Sequence, residues 1–251
     1  DMIHERYPEY FPSWDNTAAN KRSAIKHAAH IICVSENTRR DLIEIENVDA
    51  NKLSVVHHGF NSIIPRATET KPLIVEPYLL HVGIRTGYKN FKRLLSAYAG
   101  SSDLRDNYRL VCFGGGKFER SEEREKKKYG LSNDSLVWMG GSDSVLHQLY
   151  RHAAALVCPS LYEGFGITPL EAMARNCPVV CSNGGSTPEV VGDAGEFFDP
   201  EDTSAIASAI KNVVCSDKRS AELRALGRHR ITRFSWAKCA RDTHAVYSAM
   251  L

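Results

Sequence analysis

The sequence predicts an α/β protein with a doubly wound parallel sheet, and three observations support this fold class. Short apolar runs rich in β-branched residues alternate with longer amphipathic segments, as in repeated strand–helix–strand units. The short runs lack polar alternation, which is typical of strands covered on both faces. A length of 251 residues with 43% hydrophobic and 25% charged side chains supports a sizeable core and excludes disordered and fibrous classes.

The alternation predicts each element in chain order. Strands are predicted at residues 31–34, 53–56, 78–82, 108–113, 136–139, 155–158 and 178–181. Helices are predicted at about 36–46, 90–99, 119–129, 143–154, 169–175, 188–191, 202–214 and 218–229. A last helical stripe follows the N-cap residue Ser235, and its apolar side chains should pack against another part of the protein.

The strands are unevenly distributed, which predicts a partial N-terminal domain. The region before Gly59 holds too few strands for an independent α/β domain, so it is interpreted as the end of a larger domain. Pro65, Pro72 and Pro77 interrupt the sequence that follows, as expected for a connection. The predicted N-terminal remnant, connection, complete domain and terminal helix are residues 1–59, 60–78, 79–234 and 235–251.

Charge, cysteine content and hydropathy exclude other classes. Lysine and arginine number 32 against 30 acidic residues, a net charge of +2 that is too balanced to indicate a nucleic-acid partner. The 7 cysteines are widely spaced without a C-x-x-C pair, which is typical of reduced thiols in a cytoplasmic protein. No run approaches the roughly 18 apolar residues of a spanning helix. A cytoplasmic location is expected, with peripheral association at the inner membrane face left open.

The strongest local signal follows the predicted strand at 155–158. Gly164 and Gly166 let the backbone approach a ligand closely, and Thr168 with Pro169 has the pattern of an N-cap followed by the first helical residue. A helix that begins at the carboxyl end of a parallel strand lies where open α/β sheets bind ligands, and its free N–H groups favour an anion. The segment therefore predicts a site for a phosphorylated ligand.

Two carboxylates accompany this helix start. Glu163 lies in a glycine-flanked loop outside the helix, where no cap requires a carboxylate, so a ligand-facing role is predicted. Glu171 has two interpretations, because Thr168-x-x-Glu171 is also a capping box in which the carboxylate would bind the N-cap amide.

A second candidate loop follows the predicted strand at 78–82. Gly83 permits a turn at the strand end, and Arg85 with Lys89 places two cations before a helix, where they could neutralise a phosphate. A solvated basic loop is the alternative. His81 alternates with apolar neighbours and is interpreted as a core histidine.

Two further glycine loops occupy predicted strand ends, at residues 114–116 and 182–189, although the first lacks the spacing of a nucleotide-binding motif. The charged run 122–128 is interpreted as a solvated helix face. No Asp-x-Asp sequence occurs, so the usual carboxylates of a metal–diphosphate complex are not expected and no metal ligand is predicted.

At this point the motifs resemble a known family. The segment from Pro159 to Glu189 is similar to the donor-binding half of GT-B glycosyltransferases of the retaining family 4 type, also described as glycosyl transferases group 1. Glu163 and Glu171 form its E-x7-E pair. The resemblance also includes Gly83, Arg85, Lys89, Asn90, residues 25–59 and the sequence Phe234-Ser235-Trp236.

The resemblance implies a Rossmann-like domain that binds a nucleotide-diphosphate sugar, with either GDP or UDP as the nucleotide, and a terminal helix that packs back toward the N-terminal domain. Glu171 would hold the ribose hydroxyls, Glu163 would face the donor sugar, and Arg85 with Lys89 would neutralise the diphosphate in place of a metal. The other donor-binding residues implied are Gly83, Met139, Gly140, Gly164, Phe165, Gly166, Ile167 and Thr168.

The activity implied is metal-independent transfer of a hexose, with retention of configuration, to a glycan or lipid-linked acceptor. No cofactor and no protein nucleophile are expected. General resemblance suggests mannose and surface polysaccharide synthesis. Asp1 resembles the Asp of a family His-Asp motif, so donor binding without efficient transfer is expected of a chain that begins there. A nucleotide-binding module without catalysis and a sugar-nucleotide epimerase are the alternatives.

Overall fold

The strands are short, apolar and parallel. The computed structural model describes residues 1–60 and 71–251. Its strands are β1 (Ile31–Cys33), β2 (Leu53–Val55), β3 (Tyr78–Val82), β4 (Arg109–Phe113), β5 (Leu136–Met139), β6 (Ala155–Cys158), β7 (Val179–Ser182) and β8 (Gly195–Phe198). β1 and β2 pair with each other, and the other strands form a six-stranded sheet in the order β5-β4-β3-β6-β7-β8.

Every strand pair is parallel, so the carboxyl ends of the six strands meet at one edge. The order reverses direction between β3 and β6, which is the doubly wound arrangement of a Rossmann-like sheet. The predicted fold class is confirmed. Because ligands bind at this reversal in open α/β sheets, the carboxyl ends of β3 and β6 are where a site is expected.

The α-helices cover the sheets and connect the strands. They are α1 (Ile3–Arg6), α2 (Thr17–His27), α3 (Glu36–Glu46), α4 (Phe91–Gly100), α5 (Ser102–Asn107), α6 (Arg120–Lys128), α7 (Asp143–His152), α8 (Ile167–Met173), α9 (Thr187–Val191), α10 (Thr203–Val214), α11 (Asp217–Arg230) and α12 (Trp236–Ser248). Ser35, Asp202 and Ser235 cap α3, α10 and α12 by accepting hydrogen bonds from backbone amides of the first turn.

The core of the larger sheet consists of two apolar layers. Leu79 and Leu80 are adjacent on β3 and fully buried, yet they belong to opposite layers because successive side chains point to opposite faces. α4 and α10 supply one layer, and α7 and α8 contribute to the other. Burial on both faces explains why the strands are continuously apolar.

All seven predicted strands are present, with each end shifted by at most one residue. The prediction missed β8, because Gly195 and the half-exposed Glu196 interrupt the apolar pattern of this edge strand. It also missed α1, α2 and α5, which are short or carry little buried apolar surface. Such helices lack the apolar stripe that sequence patterns detect.

The N-terminal part is a smaller unit around the β1–β2 pair, with Met2, Cys33, Leu42 and Leu53 at its centre. The start of α12 contacts this part of the chain, since a Cβ on Gly59 would lie 2.1 Å from the backbone nitrogen of Trp236. The rest of α12 has no buried residue. The predicted domain boundaries stay predictions, and residues 61–70 of the predicted connection lie outside the described residues.

Candidate functional site

A cleft of about 450 Å³ opens at the reversal point of the larger sheet. Val82 at the end of β3 and Cys158 at the end of β6 form part of its wall. The loop before α8 and residues of α9 extend this wall, while Asp1, Val34 and His58 contribute from the N-terminal part. The cleft therefore lies between the two parts of the protein, at the position that the sheet order favours for a ligand.

Lys89 and Glu163 face each other in this cleft. The Nζ of Lys89 donates a hydrogen bond to Oε1 of Glu163 at 2.7 Å. Burial lowers the pKa of Lys89, but the Glu163 carboxylate outweighs burial, so the net pKa is raised. The sequence predicted these two side chains to share a site although they are 74 positions apart, and the structure brings them together.

The loops that carry these side chains are joined by their own hydrogen bonds. The backbone nitrogen of Leu161 donates to the carbonyl of Tyr88 at 2.8 Å. Asn90 has a left-handed backbone with φ of 58°, and its buried side-chain amide donates to the carbonyls of Pro159 and Pro200 at 2.9 and 2.8 Å. These bonds fix the spacing between the Lys89 turn and the Glu163 loop.

The loop before α8 requires glycine at two points. Gly166 has φ of 87° and is the N-cap, so the helix begins at Ile167. Gly164 lies directly against Asp1, because a Cβ on Gly164 would be 2.4 Å from that of Asp1. Phe165, Gly166, Ile167 and Thr168 all line the cleft, as expected for the predicted donor loop.

The predicted start of this helix is wrong. Thr168 is the second helical residue rather than the N-cap, and Pro169 is the third rather than the first. The left-handed turn at Gly166 starts the helix two residues before the Thr168 signal. Pro169 remains acceptable there because the first four helical N–H groups have no intrahelical partner.

Glu171 lies one helical turn after the loop and is half-buried. Its Oε2 accepts a hydrogen bond from the hydroxyl of Tyr150 at 3.2 Å, and α8 shows no side-chain cap bond. The capping-box interpretation of Glu171 is therefore wrong. Burial raises the pKa of this carboxyl group, although the Tyr150 bond and the charge of Arg175 oppose the increase.

The structure does not bring the guanidinium of Arg85 to Lys89 and Glu163. Its Nε donates to Oε1 of Glu122 at 2.6 Å, and its Nη atoms donate to the carbonyls of Gly114, Gly116 and Lys117. The Arg85 side chain is only 2% exposed. A diphosphate-binding role for Arg85 stays a prediction, and its present contacts are with the glycine loop after β4.

Glu122 and Lys126 correct the interpretation of the charged run as a wholly solvated face. Glu122 is 12% exposed in its pair with Arg85, and Lys126 is buried, with its ammonium over the ring of Phe118. The charged run alone could not reveal this burial, because Arg85 and Phe118, which contact Glu122 and Lys126, lie outside α6.

The remaining predicted residues lie at the same edge of the sheet. Gly83 follows β3 and donates its backbone N–H to the carbonyl of Phe113 at 3.0 Å. Met139 ends β5 and Gly140 follows it. None of these three is among the residues that line the 450 Å³ cleft in the described part of the chain. His81 is confirmed as a core residue, and burial lowers its pKa to about 4.

Sequence reasoning missed the role of Glu189. Its carboxylate accepts hydrogen bonds from the backbone nitrogens of Glu36 and Asn37, at 2.8 and 3.2 Å, and contacts Nε2 of His57 at 2.6 Å. Glu189 thus connects α9, on the side of the six-stranded sheet, to the start of α3 in the N-terminal part. The Thr-Pro-Glu sequence signalled a helix start, but no local signal could identify these distant partners.

A second polar connection crosses between the two parts. The hydroxyl of Tyr162 donates to Oδ2 of Asp41 at 2.6 Å, and Arg6 also binds Asp41. Ser35 donates to the carbonyl of Gly164 at 2.8 Å. The residues on both sides of Glu163 are therefore held by the N-terminal part.

Within residues 1–60 and 71–251, no cluster of three or more His, Cys, Asp or Glu side chains is arranged to hold a metal ion. In the same ranges, every helix is too short or too polar to cross a membrane.

A Rossmann-like sheet that shares a cleft with a second parallel α/β unit defines the GT-B class of glycosyltransferases. The family model for glycosyl transferases group 1 matches residues 69–230, which is more than half of the chain. The chain belongs to this family, and the resemblance found in the sequence is confirmed.

Relatives and solved structures support the same class. O-antigen chain mannosyltransferase B of Escherichia coli is 32% identical over 256 residues, with 97% of this chain and 67% of the relative covered. O-antigen chain mannosyltransferase RfbU of Salmonella typhimurium is 30% identical over 215 residues, with 84% and 59% covered. The Anabaena protein HepE, solved with UDP and glucose, has a TM-score of 0.80 at 19% identity, with 99% and 70% covered. This chain therefore spans about two thirds or less of these two mannosyltransferases.

Proposed function

We propose that this protein transfers a hexose from a nucleotide-diphosphate sugar to a glycan or lipid-linked acceptor, with retention of configuration and without a metal or other cofactor. The observation that carries the proposal is the Lys89–Glu163 pair, joined at 2.7 Å in the cleft at the reversal of the sheet. A cation and a carboxylate side by side match a ligand that carries both phosphate and sugar hydroxyl groups.

Lys89 neutralises the diphosphate in this proposal. Charge develops on the leaving nucleoside diphosphate as the bond to the sugar breaks, and a positioned ammonium stabilises that charge in the transition state. When the donor binds, the diphosphate takes the place of Glu163 as the partner of Lys89. Glu163 is then free to accept hydrogen bonds from the hydroxyl groups of the sugar.

Glu171 accepts hydrogen bonds from the ribose hydroxyls, since two carboxylate oxygens can receive both hydroxyls of a cis-diol. Met139 and Gly140 lie two strands farther along the same sheet edge, and we assign them to the nucleoside end of the donor. Gly83 directly follows Val82 of the cleft wall and allows close approach of the donor. Arg85 can contact a phosphate only after leaving Glu122, so we assign the first diphosphate contact to Lys89.

The acceptor enters from the side of the N-terminal part, where Asp1 lies against Gly164 and lines the cleft. The names of the relatives favour mannose as the sugar and a polysaccharide chain as the acceptor. A peripheral position at the inner face of a membrane suits a lipid-linked acceptor. We propose no nucleic-acid partner, because a net charge of +2 is too balanced for one.

The proposal is tested by titration with UDP and GDP, followed by a transfer assay with mannobiose as acceptor and GDP-mannose or UDP-hexoses as donors. We expect one nucleoside diphosphate to bind, and its sugar to be transferred once a complete acceptor-side domain is present. Binding without transfer, even in the presence of a complete acceptor-side domain, would favour a nucleotide-binding module. Conversion of the donor to another nucleotide sugar would favour an epimerase.

The carboxylate of Glu163 gives the sharper test. Glu163→Gln should lower transfer by about 10²–10³-fold, in line with the loss of one charged transition-state contact, while nucleoside diphosphate affinity is largely kept. Glu222→Gln is the matched control, because Glu222 is an exposed carboxylate on α11 paired with Arg219. A fully active Glu163→Gln protein would remove Glu163 from the catalytic site.

A further inference from the structure

The surroundings of Glu171 contain a buried hydrogen bond that the proposed mechanism does not use. Tyr150 is fully buried on α7, and its hydroxyl donates to Oε2 of Glu171 at 3.2 Å. A carboxylate oxygen can only accept, so the direction of this bond is certain. Oε1 of Glu171 has no hydrogen-bond partner among the described residues, and Glu171 lies two residues beyond Pro169, which lines the cleft.

Arg175 follows α8 and supports the backbone of Glu171. Its side chain is buried, and Nη1 donates to the backbone carbonyl of Glu171 at 3.1 Å. Nη2 lies 2.6 Å from Nε2 of His147 on α7. The helix turn that carries Glu171 is thus attached to α7 at two points, through Tyr150 and through the Arg175–His147 contact.

We propose that Tyr150 is a positioning residue for nucleoside recognition: its hydroxyl holds one oxygen of Glu171 and directs the other toward a ribose hydroxyl of the nucleoside diphosphate. The inference rests on the proposed function, because it takes the ribose as the partner of Glu171. A carboxylate ordered before binding loses less conformational entropy when the ligand arrives. The buried hydroxyl therefore strengthens ribose binding without touching the nucleotide.

The charges around Glu171 support this role. Burial raises the pKa of Glu171 and Asp143 on α7 raises it further, while the Tyr150 hydroxyl and Arg175 lower it. The ionised carboxylate accepts a hydrogen bond from a ribose hydroxyl more strongly than the protonated carboxyl group does. Loss of the Tyr150 hydroxyl should raise the pKa of Glu171. On acidification, the affinity of the variant for the nucleoside diphosphate should therefore begin to fall at a higher pH than that of the wild type.

The test compares Tyr150→Phe with Tyr98→Phe. Tyr98 is also fully buried, but its hydroxyl donates to the carbonyl of Tyr108 at 2.7 Å, so the control loses a buried hydroxyl bond that does not involve Glu171. Dissociation constants are measured for UDP and GDP and for their 2′,3′-dideoxy analogues between pH 5 and 8. The ratio of the dideoxy to the ribose constant measures ribose discrimination.

We expect Tyr150→Phe to reduce ribose discrimination by roughly 3- to 10-fold, the usual net effect of one hydrogen bond, and to shift the acidic fall in affinity to higher pH. Tyr98→Phe should change neither the ribose discrimination nor the pH at which affinity falls. Tyr150→Phe with wild-type discrimination and an unchanged pH profile would overturn the inference.

A double-mutant cycle separates positioning from general packing. If Tyr150 acts through Glu171, adding Tyr150→Phe to Glu171→Gln should leave the remaining discrimination unchanged, whereas an independent further loss would overturn the inference. If Tyr150→Phe does not fold, 4-aminophenylalanine at position 150 keeps the ring and an N–H donor. It should retain discrimination, and its loss in a folded protein would count against Tyr150.

The two proposals fail differently. A wild-type protein that binds no nucleoside diphosphate overturns the proposed function and this inference together. A wild-type protein that binds UDP or GDP but does not distinguish it from its dideoxy analogue overturns the inference and the ribose role of Glu171, whereas the proposed hexose transfer stands.

Discussion

At the scale of single residues, the two cations of one loop have different surroundings. Lys89 faces Glu163 in the cleft, whereas Arg85 is enclosed by Glu122 and the carbonyls of the glycine loop. The sequence placed both near a phosphate because their separation is four positions. Their partners lie 74 and 37 positions away, and no local pattern distinguishes one environment from the other.

Lys89→Ala should therefore weaken nucleoside diphosphate binding specifically. We expect the affinity for UDP or GDP to fall by about 10-fold or more, consistent with loss of a charge-assisted contact, while the affinity for the nucleoside is unchanged. Isothermal titration of both ligands measures the difference. Lys92→Ala, an exposed lysine of the same segment, is the control. Equal losses for nucleoside and diphosphate would show that Lys89 does not contact the phosphates.

Arg85→Ala should act mainly on stability. Removal of the guanidinium leaves Glu122 without its cation and the carbonyls of Gly116 and Lys117 without this donor, whereas the carbonyl of Gly114 still accepts from another side chain. We therefore expect a loss of about 3–5 kcal/mol in the free energy of unfolding. Urea denaturation measures this loss, with Arg219→Ala as the control that removes a half-exposed ion pair. Unchanged stability combined with a diphosphate-specific loss of affinity would instead place Arg85 on the phosphates.

At the scale of elements, continuous apolar runs predicted the buried strands well, since burial on both faces leaves little freedom in composition. The start of α8 was less predictable. Thr168-Pro169 is a strong start signal, but Gly166 takes a left-handed φ of 87° and begins the helix at Ile167. A glycine permits that conformation without requiring it, so the position of the turn depends on packing against the rest of the cleft.

Gly166→Ala tests the importance of this turn. An L side chain in the left-handed region costs about 1–2 kcal/mol, so the variant should lose stability by that amount or shift the loop that lines the cleft. Urea denaturation and UDP or GDP titration measure both effects. Gly100→Ala is the control, because its Cβ would meet nothing within 4 Å and its backbone is not left-handed. A Gly166→Ala protein with unchanged stability and affinity would show that the turn is not constrained.

At the scale of the whole molecule, contacts of Glu189 and Tyr162 hold the two parts together around the cleft. Glu189 binds the first two amides of α3 and His57, and Tyr162 binds Asp41. The sequence could predict a complete domain and a partial one from the distribution of strands. It could not predict how they join, because each connecting bond spans more than a hundred positions.

The Glu189 connection should make stability depend on pH in the acidic range. Burial raises the pKa of Glu189, but hydrogen bonds from His57, Glu36 and Asn37 outweigh it, so the folded-state pKa lies below the usual 4.5. The contribution of a group with a depressed pKa is fully present above its unfolded pKa and is lost as the pH falls through the folded value.

Glu189→Gln should therefore unfold more easily at pH 7, by about 1–3 kcal/mol for bonds to a charged group, and the difference from wild type should shrink below pH 4.5. Urea denaturation across pH 3 to 7 measures this convergence, with Glu222→Gln as the exposed control. Parallel curves for wild type and Glu189→Gln would show that ionised Glu189 does not hold the two parts together.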